Sequence, residues 1–318
     1  VTRLIAPLLT DKGSDPAVLV LDAEGQRVIP LLGGHQAGAE QLSREVAAAL
    51  GGEAVLSGDS AFSGRLATDA FGHAWGWKRG GTSTNWTQLM KVQARGEAIR
   101  LIQTMGCKLW QSSSAAQASQ LLGLDAVADS ANSDSAIPTL EISTSMAHAG
   151  ACTWHPALLW LGIGCERDTS LNLVQRAVSS ALEEAGLAEN AVAGISSIDR
   201  KGDERALQDL AQLHHWPFHL HTATAIATAL DGVSVPTPSK VVATEMGTGS
   251  VAEASALLSA GDNGQLKLHK RITHANDDER GAVTVAIAQS MKAHAPQRGE
   301  LHLIGSGPGD LALLTPEA

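Results

Sequence analysis

Between residues 157 and 289 short apolar runs alternate with stretches whose apolar residues recur at helical spacing, and this alternation constrains the fold most. Ala157 to Ile163 reads as a buried strand. Thr169 or Ser170 caps a helix whose inward face carries Val174, Ala177, Val178, Ala181, Leu182 and Ala185, and Gly186 ends it. Val192 to Ile198 is the next strand, and Leu207, Leu210 and Ala211 mark a second helix. Trp216 to Leu220 and Lys240 to Val242 read as further strands, Ser250 to Ser259 as a third helix with Val251, Ala254, Ser255 and Leu258 inward, and Val283 to Ala288 as a last strand. Strands alternating with helices imply a largely parallel sheet with helices on its faces.

The same logic applies near the start. Ala17 to Leu21 and Val28 to Leu32 flank the turn Asp22-Ala23-Glu24-Gly25. Gly33-Gly34-His35 follows, and Ala39, Leu42, Val46 and Ala49 repeat at helical spacing until Gly51-Gly52. Residues 62 to about 152 differ: Trp75, Trp77, Trp86 and Trp110 stand among Gly, Ser and Thr, more as core than as a cofactor box. Arg100 to Gln103 and Lys108 to Gln111 read as strands around Met105-Gly106, and Ser130 to Ala151 reads partly as a linker. The fold class is α/β: two small α/β domains, the N-terminal one truncated, flank a mixed middle segment. The expected divisions are 1–62, 63–152 with its linker, 157–289, and 300–318 as the severed start of another domain.

Composition narrows the partners. The net charge is −10 without a basic patch, which argues against nucleic acid and anionic membranes. No apolar run reaches membrane-spanning length. Cys107, Cys152 and Cys165 form no CxxC pair, so a reducing, cytoplasmic setting without a disulfide framework is expected. Aromatics are only 3% of residues, so Ala, Leu, Val and Ile must build the cores.

Four stretches carry chemistry-bearing residues, each with a structural alternative. Gly162-Ile163-Gly164-Cys165-Glu166-Arg167-Asp168-Thr169-Ser170 joins a strand to a helix, where ligands of open α/β sheets bind. Its helix start offers N–H groups to an anion, and Arg167 suits a carboxylate. A tight turn with an exposed Arg explains the same residues, and Cys165 more often packs than reacts. Gly247-Thr248-Gly249-Ser250 opens a helix, with Ser250 and Glu253 as a capping box; without a GK[ST] ending it is no P-loop. Asp199 and Lys201 fall on one side if their strand persists, as general base and electrostatic stabiliser, or belong to a solvated helix start. His35, beside paired glycines and ahead of Gly38, is an acid–base candidate that could equally be structural. His214-His215 and His219-x-His221 suggest metal, but no acidic or Cys ligand is suitably spaced, so none is expected.

Together these stretches resemble a known family. LIAPLLTDKGSDPAVLVLD followed by VIPLLGGHQAGAE resembles the N-terminal domain of the cobalt-precorrin-5A hydrolase (CbiG) family. GIGCERDTS, ISSIDRKGDERALQDLA, VPTPSKVVATEMGTGSVAEASALLSAG and AVTVAIA resemble, in order and spacing, the C-terminal domain shared with CobE proteins. Asp168 stands where that pattern has Gly, Thr237 where it has Asn, and Gly249 where it has Pro. LHLIGSGPGDLALLTPEA resembles the first strand and loop of tetrapyrrole methyltransferases, as in a fusion with precorrin-3B C(17)-methyltransferase. The resemblance implies opening of a δ-lactone on a cobalt corrinoid with release of acetaldehyde. The cobalt belongs to the substrate, and the hydrolase needs no cofactor. The residue roles come from the side chains and not from the resemblance: His35, or alternatively Asp199, as acid–base group, with Lys201 as stabiliser. Gly33, Gly34, Gly38, Gly164, Cys165, Glu166, Arg167, Thr169, Ser170, Gly247, Thr248, Gly249 and Ser250 would line the substrate. Gly305, Gly307, Pro308, Gly309 and Asp310 would form part of an S-adenosylmethionine site. A non-catalytic corrinoid carrier of CobE type is the rival reading, and the oligomeric state stays open.

Overall fold

The computed structural model describes residues 5–10, 15–33, 37–56, 65–123, 137–230 and 251–291. Backbone contacts divide the chain into two compact units, one holding the residues up to Ser63 and one spanning Gly64–Ala295.

In the first unit β1 (Val18–Leu21) and β2 (Arg27–Leu32) form an antiparallel hairpin. Asp22 closes it: its carbonyl accepts from Gly25 N at 3.1 Å and its Oδ1 from Arg27 N at 3.1 Å. Helix α1 (Ala39–Leu50) crosses to β3 (Glu53–Ala54), which pairs parallel with β2. The buried stripe of α1 is Ala39, Ser43 and Ala47, rotated from the expected one, and Ala49 is exposed. Small residues let the helix lie close to the sheet, and Ser43 Oγ is satisfied internally by donating to Ala39 O at 2.8 Å.

The second unit holds two sheets. The middle sheet runs β4 (Lys78–Gly80), β8 (Cys152–His155), β7 (Thr139–Ile142), β5 (Ile99–Gln103), β6 (Leu121–Leu122), all parallel except β4. Helix α2 (Ser83–Ala94), capped by Thr82 Oγ1 on Asn85 N at 3.2 Å, buries Trp86, Leu89 and Val92. They meet Trp77, Trp110, Leu140, Ile142 and Trp154, so the tryptophans are core as expected. Three of the buried indole N–H groups find acceptors: Trp86 on Gly80 O at 2.8 Å, Trp154 on Thr68 O at 2.9 Å, Trp110 on Gln103 Oε1 at 3.2 Å.

Two expectations fail here. Lys108–Gln111 is not a strand: Leu109–Ser112 is a 3-10 turn that drives Trp110 into the core. The Ser- and Ala-rich tract is not merely a linker, because it contains β7, a four-residue strand at the centre of the sheet. The short helix α3 (Ser114–Ala118) stands between β5 and β6.

The C-terminal sheet runs β11 (Phe218–His221), β10 (Val192–Ile198), β9 (Leu159–Cys165), β13 (Ala282–Gln289), β12 (Gln265–His274). The first three are parallel, and β13 runs antiparallel to both of its neighbours. Helices α4 (Leu171–Glu184) and α5 (Arg205–His214) cover one face through Leu173, Val174, Ala177 and Leu207. On the other face α6 (Ala223–Leu230) and α7 (Val251–Ala260) pack together. Gly162 makes this possible, because a Cβ there would run into the Ala252 carbonyl. The sheets are joined by Thr144 Oγ1 donating to Gln289 Oε1 at 2.8 Å and Asn190 Nδ2 donating to Arg79 O at 2.9 Å.

Candidate functional site

Strand β9 runs on to Cys165 because β13 pairs with it to that point, Val283 opposite Cys165. Gly164 is therefore a strand residue, its carbonyl accepting from Thr284 Oγ1 at 3.2 Å, and not part of a bare loop. The turn proper is Glu166 to Ser170. Glu166 is exposed, and its N–H donates to Ala282 O at 3.1 Å; Thr169 is buried, its Oγ1 donating to Glu166 O at 2.8 Å. Asp168, where Gly was expected, has φ +57°, in the left-handed region. Ser170 is the N-cap of α4 as expected, but its hydroxyl accepts from Arg280 N at 3.2 Å and makes no bond to the helix.

A second turn meets this one. Strand β10 ends at Ile198, and Asp199–Lys201 is a 3-10 turn, so Asp199 and Lys201 do not share a strand face. Asp199 is exposed, its Oδ1 accepting from Arg200 N at 2.8 Å, whereas Lys201 is buried with Nζ 3.4 Å from Glu204 Oε2. Glu204, only 4% exposed, joins the two turns: Oε1 accepts from Asp168 N at 2.9 Å, and Oε2 lies 3.5 Å from Arg167 Nη1. Arg167 also donates to Asp203 Oδ1 at 2.5 Å and Arg200 O at 2.7 Å. The Arg167 hydrogen bond holds the Asp203 carboxyl below its ordinary range. Sequence reasoning assigned Glu204 no role, because nothing distinguishes it from Asp199 and Asp203 among the charges of DRKGDER.

This arrangement places Arg167 and Lys201 at the carboxyl ends of two parallel strands, each ion-paired to Glu204 and Arg167 also to Asp203, so that the exposed Arg167 is the group there able to meet an anion. It does not supply a nucleophile. Burial pushes the Cys165 thiol up to about 11, against the opposing pull of Lys201, so the sulfur stays protonated near neutral pH.

The other expected residues are placed as follows. Gly33 follows β2, its carbonyl accepting from Ala37 N at 3.2 Å and Ala39 N at 3.1 Å, and Gly38 directly precedes α1. Gly34, His35, Gly247, Thr248, Gly249, Ser250, Gly305, Gly307, Pro308, Gly309 and Asp310 lie outside the described residues. The Glu253 half of the expected capping box is directed at β12: its fully buried Oε1 contacts His269 Nδ1 at 2.9 Å and Lys270 N at 3.3 Å. His219 stacks on Trp160 with ring centroids 4.4 Å apart, and His221 Nε2 bonds Ser259 Oγ at 2.8 Å. Among the described residues no group of three or more His, Cys, Asp or Glu side chains is placed to hold a metal. Likewise, no helix among them is long and apolar enough to cross a membrane.

The residues missed altogether are Glu141 and His148, in the middle sheet's outer wall, whose Oε1 and Nδ1 lie 2.8 Å apart. Seven positions separate them, with a strand end and a turn between, so no motif betrays the pair.

Comparison with known proteins fits this layout. The family described as "Cobalamin synthesis G C-terminus" matches residues 159–288, and "Cobalamin synthesis G N-terminal" matches residues 1–60. The chain is 29% identical over 294 residues to a cobalt-precorrin-5A hydrolase of Priestia megaterium, covering 91% of this chain and 75% of that protein. It is 28% identical over 226 residues to a cobalt-precorrin-5A hydrolase of Salmonella typhimurium, covering 70% of this chain and 64% of that protein. It is also 29% identical over 147 residues to protein CobE of a Sinorhizobium species, covering 46% of this chain and 94% of that one.

Proposed function

The chain belongs to the cobalamin synthesis G family, and on that premise we propose that it is a cobalt-precorrin-5A hydrolase. In this reading it opens the δ-lactone of a cobalt corrinoid and releases the two-carbon fragment as acetaldehyde. The observation that carries the reading is the pair of turns bridged by Glu204, which sets Arg167 at the carboxyl ends of β9 and β10. Arg167 keeps over half of its side chain exposed while its other bonds hold it in place. It would recognise a peripheral carboxylate of the substrate, assisted by the N–H groups that open α4. Neither Lys201, which is ion-paired, nor Cys165, whose thiol is protonated, is the acid–base group. His35 and Asp199 are the candidates the sequence supplies. Asp199 has the exposure the role needs.

The reading as a fusion with a precorrin methyltransferase, using S-adenosylmethionine at Gly305 to Asp310, stays within this proposal, as does a cytoplasmic setting. It rests on the loop pattern alone.

Incubation of the chain with cobalt-precorrin-5A tests the reading. Stoichiometric acetaldehyde, trapped by an aldehyde reagent, with a corrinoid mass loss equal to acetaldehyde less the one water added, is the expected result. A carrier is the second reading, favoured because a CobE protein aligns over nearly all its own length to under half of this chain. Co-elution of the corrinoid with the protein and no acetaldehyde would establish the carrier instead.

A further inference from the structure

The middle sheet has two chemically different faces. Leu101, Leu140, Ile142 and Trp154 point to the tryptophan core. Arg100, Ile102, Thr139 and Glu141 alternate with them and, being in register across β5 and β7, share the opposite face. There an open cavity of about 530 Å³ is lined by Arg100, Ile102, Thr139, Glu141, His148 and Gly150, among others.

Within it a buried carboxylate meets an accessible imidazole. The Glu141 side chain is 6% exposed and that of His148 is 77% exposed, with Glu141 Oε1 2.8 Å from His148 Nδ1. A carboxylate on Nδ1 fixes the ring and makes it the donor there, which leaves Nε2, across the ring, as the basic nitrogen. The backbone fixes the pair as well. Ala151 N donates to His148 O at 3.0 Å, closing a four-residue turn whose third residue, Gly150, has φ +84°, a conformation that favours glycine. Beside Glu141, Thr153 is its partner across β7 and β8, with a fully buried hydroxyl that has no partner among the described residues.

We propose that His148 and Glu141 form an acid–base dyad that opens a cyclic ester held in this cavity, an inference that rests on the hydrolase reading for its substrate class. His148 Nε2 takes a proton from water as the water oxygen bonds to the lactone carbonyl carbon. The ring C–O bond then breaks, and the proton passes from Nε2 to the departing alkoxide. The products are a carboxylic acid and an alcohol, with no change of oxidation state. His148 is the catalytic residue of this step and Glu141 its positioning residue. Arg100 adds a cation to the same wall.

The test compares wild type, His148→Ala and Glu141→Gln on two lactones: cobalt-precorrin-5A, and dihydrocoumarin as a simple δ-lactone probe. His148→Ala, an exposed site, should lower kcat about 100-fold or more with KM changed less than about threefold, and added imidazole should restore part of the rate. Glu141→Gln should lower kcat about tenfold with the same KM split and an unchanged thermal midpoint. Wild type active on either lactone while His148→Ala keeps its kcat within about twofold overturns the dyad, and the hydrolase reading survives if the corrinoid was turned over. His148-dependent opening of dihydrocoumarin alone supports the dyad and overturns the corrinoid reading. Activity of wild type on neither lactone overturns both.

Discussion

The backbone nitrogen of Asp168 donates to Oε1 of Glu204 across 2.9 Å, and this bond ties the turn after β9 to the turn after β10. Glu204 is buried, and its other oxygen faces Lys201 and Arg167. Removing it strands the buried Lys201 ammonium, and leaving a buried charge without its partner costs about 3–5 kcal/mol. Glu204→Ala should therefore lose about 3 kcal/mol in denaturant unfolding, and adding Lys201→Met should recover most of the loss. A single-variant loss below about 1 kcal/mol would mean that the turns are held by something else.

Gly162 leaves no space for a side chain, because the Ala252 carbonyl of α7 occupies it. Neither partner can yield by rotating a side chain, since the obstacle is backbone. Gly162→Ala should cost about 2–3 kcal/mol, near the upper end for overpacking, and loosen α7. Faster amide exchange across α7 relative to α4 is the accompanying sign, and equal exchange in both helices would contradict it.

Cys165 should be chemically quiet. With its thiol raised to about 11, its thiolate fraction at pH 7.5 is about 300-fold below that of free cysteine. Labelling by iodoacetamide should be slower by at least about 100-fold, read from the mass of the peptide containing it. Fast labelling of that peptide in the folded chain would restore Cys165 as a candidate nucleophile.

His155 should make the fold sensitive to mild acid. Burial lowers its pKa, opposed by its bond to Ser143 O at 2.9 Å and by Glu141. The unfolded chain therefore binds a proton at higher pH than the folded chain does. Its contribution to stability is fully present above the unfolded value of about 6.5 and is lost as pH falls from there toward the depressed folded value. Unfolding free energy measured between about pH 7 and pH 5 should fall, and His155→Gln should flatten that slope. An unchanged slope in the variant would assign the acid sensitivity to other groups.

What was legible in the chain depended on how each element is buried. Strands β9 and β10 were readable as short apolar runs buried on both faces, and helices α4 and α5 because residues such as Val174 and Leu207 recur at helical spacing on one buried face. Strand β12 escaped. It is an edge strand with two register shifts, and QLKLHKRITH keeps its charges outward, so neither apolar content nor strict alternation marks it. The turn at Asp168 was recognised as a place for Gly, and φ +57° explains why. Glu204 was not, because its role arises only when two turns 36 residues apart meet. The same holds for Glu141 and His148, whose contact depends on the path from β7 into β8.

Strand β13 lies between β9 and β12 at the heart of the C-terminal sheet, yet it is the lobe's last strand in chain order. During synthesis β9 must therefore wait with one edge open until more than a hundred further residues have emerged. A nascent chain halted before Ala282 would offer that edge to any passing strand, so premature termination in this lobe should yield an aggregate rather than a shortened domain.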